Sequence, residues 1–144
     1  VEIGGEVRVS GKNIQNKPWQ IGIDYPAVNT NPGENIMGIV PLIDKSMATS
    51  GNYRNFYEYN SEKFSHIIDP RTGYAIKSDI ASVTVVAERC IDADAVATAL
   101  NVMSLESGRQ MVEKNDKIEA FWILKDNGKL NTVQSTGMNV NLLD

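Results

Sequence analysis

The chain has one cysteine and one histidine in 144 residues, and those scarcities exclude several common ways of building a reactive centre. A lone Cys90 cannot close an internal disulfide or supply a thiolate cage for zinc, and it is expected as a small buried hydrophobe. It leaves the redox compartment undecided. No run of Lys and Arg occurs, the net charge is −4 and the pI is near 5.0. Without a basic face to track phosphates, nucleic acid is not an expected partner. No apolar stretch approaches the ~18 residues of a membrane helix. The glycine-rich phosphate loop and the dinucleotide fingerprint are both missing, as are repeats, heptads and low-complexity tracts. No initiator Met or leader precedes Val1, which opens directly into a strand-like run to Val9. That start suggests a cut chain and says nothing about where the parent protein is targeted.

What is present is ordinary globular composition. With 42% hydrophobic and 22% charged residues, the chain has enough apolar surface for one domain with a real core. Alternation in Glu6–Val9 and Trp19–Ile23 predicts two strands, with turns at Gly11–Asn13 and Asn16–Pro18 between them. Asn29–Asn35 reads as a polar loop and Met37–Ile43 as strand. The small, polar, Gly-broken segment Met47–Arg54 reads as a bend between strands, or as a backbone platform that a phosphate or ring can approach closely. Phe56–Tyr59 and Lys63–Ile68 suit a hairpin turning at Asn60–Glu62, and Asp69–Gly73 suits a tight turn. Ile80–Ala87 is a strand. A helix is predicted from Asp92 as N-cap, with an apolar stripe of Ala95, Val96, Ala99, Leu100 and Met103. A shorter helix follows over Leu105–Lys114. Strands Ile118–Leu124 and Leu130–Gln134 close the chain around Asp126-Asn127-Gly128. The sum is an α+β fold: a mostly antiparallel sheet with one or two helices.

Three groups of residues carry candidate chemistry. Asp94 and Thr98 stand four apart on the predicted helix and so project from one face. A carboxylate and a hydroxyl there offer two hard oxygens to a magnesium ion, which takes one or two carboxylates and fills its shell with water and phosphate oxygens. The same spacing also suits a helix-start acid and a threonine bonded to its own backbone, the commoner outcome. His66 shares a predicted strand face with Ile68, as a ligand contact or proton carrier, or as a partly buried histidine with a satisfied hydrogen bond. Gly4-Gly5 marks a bulge or the close approach of a ligand. Trp19, Phe121 and Trp122 fall in strand patterns and are expected in packing.

Taken in order, Val1-Glu2-Ile3-Gly4-Gly5-Glu6, Pro18-Trp19-Gln20-Ile21-Gly22-Ile23, Ala48-Thr49-Ser50-Gly51-Asn52-Tyr53-Arg54, His66-Ile67-Ile68-Asp69-Pro70-Arg71-Thr72-Gly73-Tyr74, Ser82-Val83-Thr84-Val85-Val86-Ala87 and Asp92-Ala93-Asp94-Ala95-Val96-Ala97-Thr98-Ala99-Leu100 closely resemble the FAD:protein FMN transferases of the ApbE family. The resemblance runs from Val1 to about Met103. Two departures are Ser65 before His66, where some members carry a second histidine, and Ala75, where many carry proline.

The resemblance implies a T-fold-related domain, of which residues 1–144 form the C-terminal part without the N-terminal half. It implies magnesium-dependent transfer of FMN from FAD to a threonine or serine hydroxyl of a target flavoprotein subunit, with AMP leaving. Hydrolysis of FAD to FMN and AMP, or flavin binding without catalysis, are the alternatives. It implies Asp94 and Thr98 as metal ligands and His66 as the catalytic histidine. Gly4, Gly5, Glu6, Ser50, Gly51, Tyr53, His66 and Thr72 are implied near the flavin. It also implies a periplasmic or inner-membrane-anchored lipoprotein, with membrane contact only through a lipid anchor outside this chain.

Overall fold

In a computed structural model the described residues are 1–27, 31, 33–52, 56–59, 62–76 and 78–143, with backbone alone for 56–59 and 62–64. The chain forms strands β1 (Glu2–Ile3), β2 (Glu6–Arg8), β3 (Trp19–Asp24), β4 (Ile36–Leu42), β5 (Ser46–Gly51), β6 (Phe56–Tyr59), β7 (Glu62–Ser65) and β8 (Ile80–Ala87). Helices α1 (Cys90–Val102) and α2 (Leu105–Glu113) follow, then β9 (Glu119–Asp126), β10 (Lys129–Gln134) and β11 (Asn141–Leu142). A six-stranded sheet runs in the order β1-β2-β5-β8-β9-β10 with every neighbour antiparallel. A second sheet is β11-β4-β3, and β6 pairs with β7 alone. The fold is α+β, as its alternating strand patterns require.

The large sheet is the middle layer. One face, with Ala48, Val83, Val85 and Trp122, packs on Ala93, Ala97 and Leu100 of α1 and Val112 of α2. The opposite face, with Met47, Val86, Phe121 and Ile123, packs on Ile23, Val40 and Leu42 of the smaller sheet. Strand β8 is covered on both sides, and all eight of its residues are buried, so its apolar run is nearly continuous. Each large apolar side chain sealed between these layers contributes roughly 1.5–3 kcal/mol. Trp122 is fully buried and Phe121 nearly so, while Trp19 stays 40% exposed at the edge strand β3.

Several expectations are corrected by packing. The strand expected from Val1 to Val9 is broken into a hairpin. Gly4 and Gly5 occupy its turn at φ +66° and +102°, a conformation glycine adopts without strain; the pair is a turn and not a bulge. Val9 and Trp19 do not lie in one hairpin, because β2 and β3 belong to different sheets. The bend expected at 47–51 is strand β5, held between β2 and β8. Its small residues are poor strand formers by propensity, but they let α1 lie close over the sheet, and that context decides. Glu62, expected in a turn, begins β7; Asn60 and Ser61 lie outside the described residues, as do residues 29, 30 and 32 of the polar loop. Strand β7 ends at Ser65, short of Ile68, because the Ile67 N–H donates to Ser65 Oγ at 3.1 Å and so leaves the strand ladder. Short strand β11 was not anticipated.

Helix α1 starts at Cys90 with Arg89 as N-cap, and no side chain caps it. Asp92 sits in the first turn, where Arg89 Nε and Nη2 each donate to it at 2.8 Å. The buried face is Ala93, Ala97, Leu100 and Asn101; Ala95 and Ala99 of the expected stripe are exposed. Alanine at so many positions blurs the apolar phase of this helix. Helix α2 has a side-chain N-cap, Ser104 Oγ accepting from Ser107 N at 3.3 Å. Its Gly108 is a packing requirement: a Cβ there would lie 3.0 Å from Leu100 Cδ2 and 3.7 Å from Trp122.

Candidate functional site

The sheet order places the β1–β2 hairpin beside α1. Cys90 is half-buried at the helix start, and its Sγ donates to the Val7 carbonyl at 3.6 Å. A cleft of about 380 Å³ opens between hairpin and helix, lined by the polar Glu6, Arg8 and Asp94 and by Val1, Ile3, Cys90 and Ile91. Asp94 is exposed, as is Thr98 one turn along the same helix face. No group of three or more His, Cys, Asp or Glu able to hold a metal exists among the described residues. Arg8 is committed elsewhere: its Nη1 donates to the Asp44 carbonyl at 2.9 Å and to the Glu88 carbonyl at 2.5 Å, tying the hairpin to the start of β5 and the end of β8.

Toward the other end of α1 lie Ser50 and Gly51, both half-buried at the end of β5. Val7 stands opposite Met47 in the antiparallel β2–β5 pair, so the glycine turn points along β5 toward this end. Asn101 on α1 donates to the Ser50 carbonyl at 3.0 Å. The next residue, Asn52, donates from its backbone to the Ala81 carbonyl and from Nδ2 to the Ile80 carbonyl, each at 2.9 Å. Its Oδ1 accepts from Ser65 Oγ at 3.4 Å. The segment that carries His66 is thereby fastened to the same strand end. Tyr53 lies outside the described residues.

His66 is exposed, with Ile67 buried behind it and Ile68 exposed beyond. The following turn is organised by Asp69. Its carbonyl accepts from Thr72 N at 3.2 Å and Gly73 N at 2.8 Å. Its carboxylate accepts from Arg71 Nε at 2.9 Å, from Arg71 Nη2 at 2.8 Å and from Arg71 N at 2.9 Å. Those side-chain bonds, with the backbone bond second, hold the Asp69 carboxyl below the usual carboxylate range, and Asp69 in turn raises the Arg71 guanidinium. Gly73 turns the chain at φ +75°, and Ile68 bridges Ala75 across the turn. Thr72 is exposed and its Oγ1 accepts from Tyr74 N at 3.3 Å. The turn is therefore pre-set, with Thr72 and Tyr74 facing solvent.

Glu6 and Asp94 line one cleft, Thr98 lies one turn along α1, and two hydrogen bonds tie the far end of the helix and the His66 segment to one strand end: Asn101 to the Ser50 carbonyl, and Ser65 to Asn52. Asn52 and Asn101 were not anticipated. The one signal for Asn101 was an amide at i+8 from Ala93, on a face that otherwise needs apolar residues.

A sequence model of the ApbE family matches residues 1–122. A FAD:protein FMN transferase of Haemophilus influenzae is 43% identical over 129 residues, covering 89% of this chain and 36% of that protein. One from Vibrio cholerae is 43% identical over 125 residues, covering 87% of this chain and 36% of the relative. Among solved structures, the flavin transferase ApbE of Vibrio cholerae superposes with a TM-score of 0.75 at 38% identity, covering 94% of this chain and 41% of that one. The apo flavinyl transferase ApbE of Pseudomonas stutzeri gives a TM-score of 0.73 at 32% identity, covering 94% and 40%. The chain spans about a third of the length of the curated relatives it matches.

Proposed function

The chain belongs to the ApbE family, and from that premise we propose that the whole protein transfers FMN from FAD to a threonine or serine hydroxyl of a target flavoprotein subunit. Residues 1–144 form the C-terminal part of its single flavin-transferase domain in this reading. The acceptor oxygen bonds to the FMN-side phosphorus as the bond from that phosphorus to the bridging oxygen breaks. AMP leaves with the bridging oxygen, and the hydroxyl proton passes to a base. Such transfers depend chiefly on positioning and on neutralising the charge that develops on the phosphates.

The observation that carries the reading is the exposed pair Asp94 and Thr98, with Asp94 on a cleft that Glu6 of the glycine hairpin also lines. Two hard oxygens on one face suit magnesium, which leaves most of its shell to water and phosphate oxygens. When bound, the ion supplies charge neutralisation at the pyrophosphate. Asp94 and Thr98 hold it; Ser50, Gly51, Tyr53 and the Gly4-Gly5 turn, where a backbone can approach closely, flank the flavin half with Glu6 and Thr72. His66 orients the phosphates or accepts the hydroxyl proton, and the pH profile of labelling separates these two roles. Periplasmic placement through a lipid anchor outside this chain belongs to the same proposal.

The test is to incubate the whole protein with FAD, magnesium and an acceptor subunit, following the acceptor by mass spectrometry and AMP by chromatography. One FMN bound per AMP released, abolished by chelation, is expected. Free FMN and AMP without labelled acceptor would make the protein an FAD pyrophosphatase instead. FAD binding with neither product would make it a non-catalytic flavin-binding protein.

A further inference from the structure

Asn101 is a buried polar side chain that the proposed reaction leaves unexplained. It is fully buried in the last turn of α1, on a face otherwise made of Ala93, Ala97 and Leu100. Its Nδ2 donates to the Ser50 carbonyl at 3.0 Å and to Ser50 Oγ at 3.4 Å, while its Oδ1 has no hydrogen-bond partner among the described residues. A buried amide with its oxygen unpaired is a burden on stability that an apolar side chain of similar shape does not carry. Leucine would complete the apolar face. What leucine could not do is bind α1 to the end of β5. Thr98 lies one turn before Asn101 on the helix, and Ser50 leads directly into Gly51 and into Asn52, which reaches Ser65 beside His66.

We propose that Asn101 is a positioning residue for flavin transfer. Its amide fixes the spacing between the Asp94–Thr98 face of α1 and the Ser50–Gly51 strand end without touching substrate. This rests on the reading above, in which the first group serves the metal and the second the flavin. The amide donor is what matters, so replacing it with an apolar group of like size separates positioning from packing. The two sites are linked only when both are occupied, so the effect depends on magnesium.

The experiment compares the whole wild-type protein with Asn101→Leu, measuring FAD affinity by flavin fluorescence with magnesium and with EDTA, alongside thermal melting. Expected are a melting temperature equal to or above wild type and FAD binding weakened about five- to tenfold in magnesium, the worth of one hydrogen bond. The difference should vanish in EDTA. Should Asn101→Leu fail to fold, Asn101→Ser, whose hydroxyl is too short to reach the Ser50 carbonyl, carries the same affinity expectation. Equal FAD affinity in magnesium overturns the inference. So does weakened binding that persists in EDTA with a melting temperature lowered by more than about 5 °C, which assigns Asn101 to the core. Asp94→Ala, measured in parallel, tells the two failures apart. If it binds FAD with full magnesium dependence, the reading of the site has failed; if it loses that dependence while Asn101→Leu does not, only the role of Asn101 has.

Discussion

Replacing Asp94 by alanine should separate activity from stability. The carboxylate is exposed, and no hydrogen bond or ion pair ties it to the other described residues. It is the fifth residue of α1, past the first turn in which a helix N-terminus rewards an acid by about 0.3–1 kcal/mol. Alanine gains up to about 0.7 kcal/mol of helix propensity over aspartate. Only the remnant of the dipole interaction beyond the first turn opposes that gain, and both are small, so stability should change by less than about 0.5 kcal/mol, as for other exposed sites. For a domain of this size that is a melting shift under about 2 °C. Activity should respond differently. A divalent ion at a transferring phosphoryl group supplies several kcal/mol, and each 1.36 kcal/mol is tenfold in rate. If Asp94 holds magnesium as proposed, its loss should therefore lower FMN attachment by the whole protein by about 10²–10³-fold at limiting magnesium, with partial recovery as magnesium is raised. The assay is acceptor labelling by mass spectrometry across a magnesium titration, with melting followed by circular dichroism. Undiminished labelling, or a melting temperature lowered by more than about 5 °C, would refute the argument: the first removes the metal, the second makes Asp94 structural.

Three further outcomes follow from local geometry. Gly108→Val should destabilise by about 1–3 kcal/mol through overpacking, because Leu100 and Trp122 already border that space; urea unfolding measures it. Gly5→Val places a β-branched residue at φ +102° and should cost about 1–3 kcal/mol of backbone strain; in the whole protein, FAD affinity should weaken as the hairpin that carries Glu6 shifts. The Asp69 carboxyl is depressed in the folded state, first by the Arg71 side chain and then by its N–H. A depressed carboxyl contributes stability that is present above its unfolded value, about 3.9, and is lost as pH falls through the folded value. The urea midpoint should therefore drop between pH 5 and pH 3, and Asp69→Asn should flatten that drop.

Element type was legible wherever the residues themselves carried the period. Strand β8, the β9–β10 hairpin and α2 are within a residue or two of their expected spans; for the strands, alternation and an Asn-Gly turn at φ 48° and 81° are local signals. Family membership was legible too, since it rests on ordered strings such as residues 66–73 and 92–100. That Asp94 and Thr98 share a face needed only helical geometry.

Tertiary structure decided what locality could not. Whether Ser46–Gly51 is a bend or a strand depends on β2, β8 and α1 around it, none of which its small residues announce. Which side of α1 turns inward was hidden by its alanines and set by the sheet beneath. The pairing of Asn101 with Ser50, and of Asn52 with Ser65, joins residues 51 and 13 positions apart. Such contacts depend on sheet order and layer stacking, and no spacing rule along the chain encodes them.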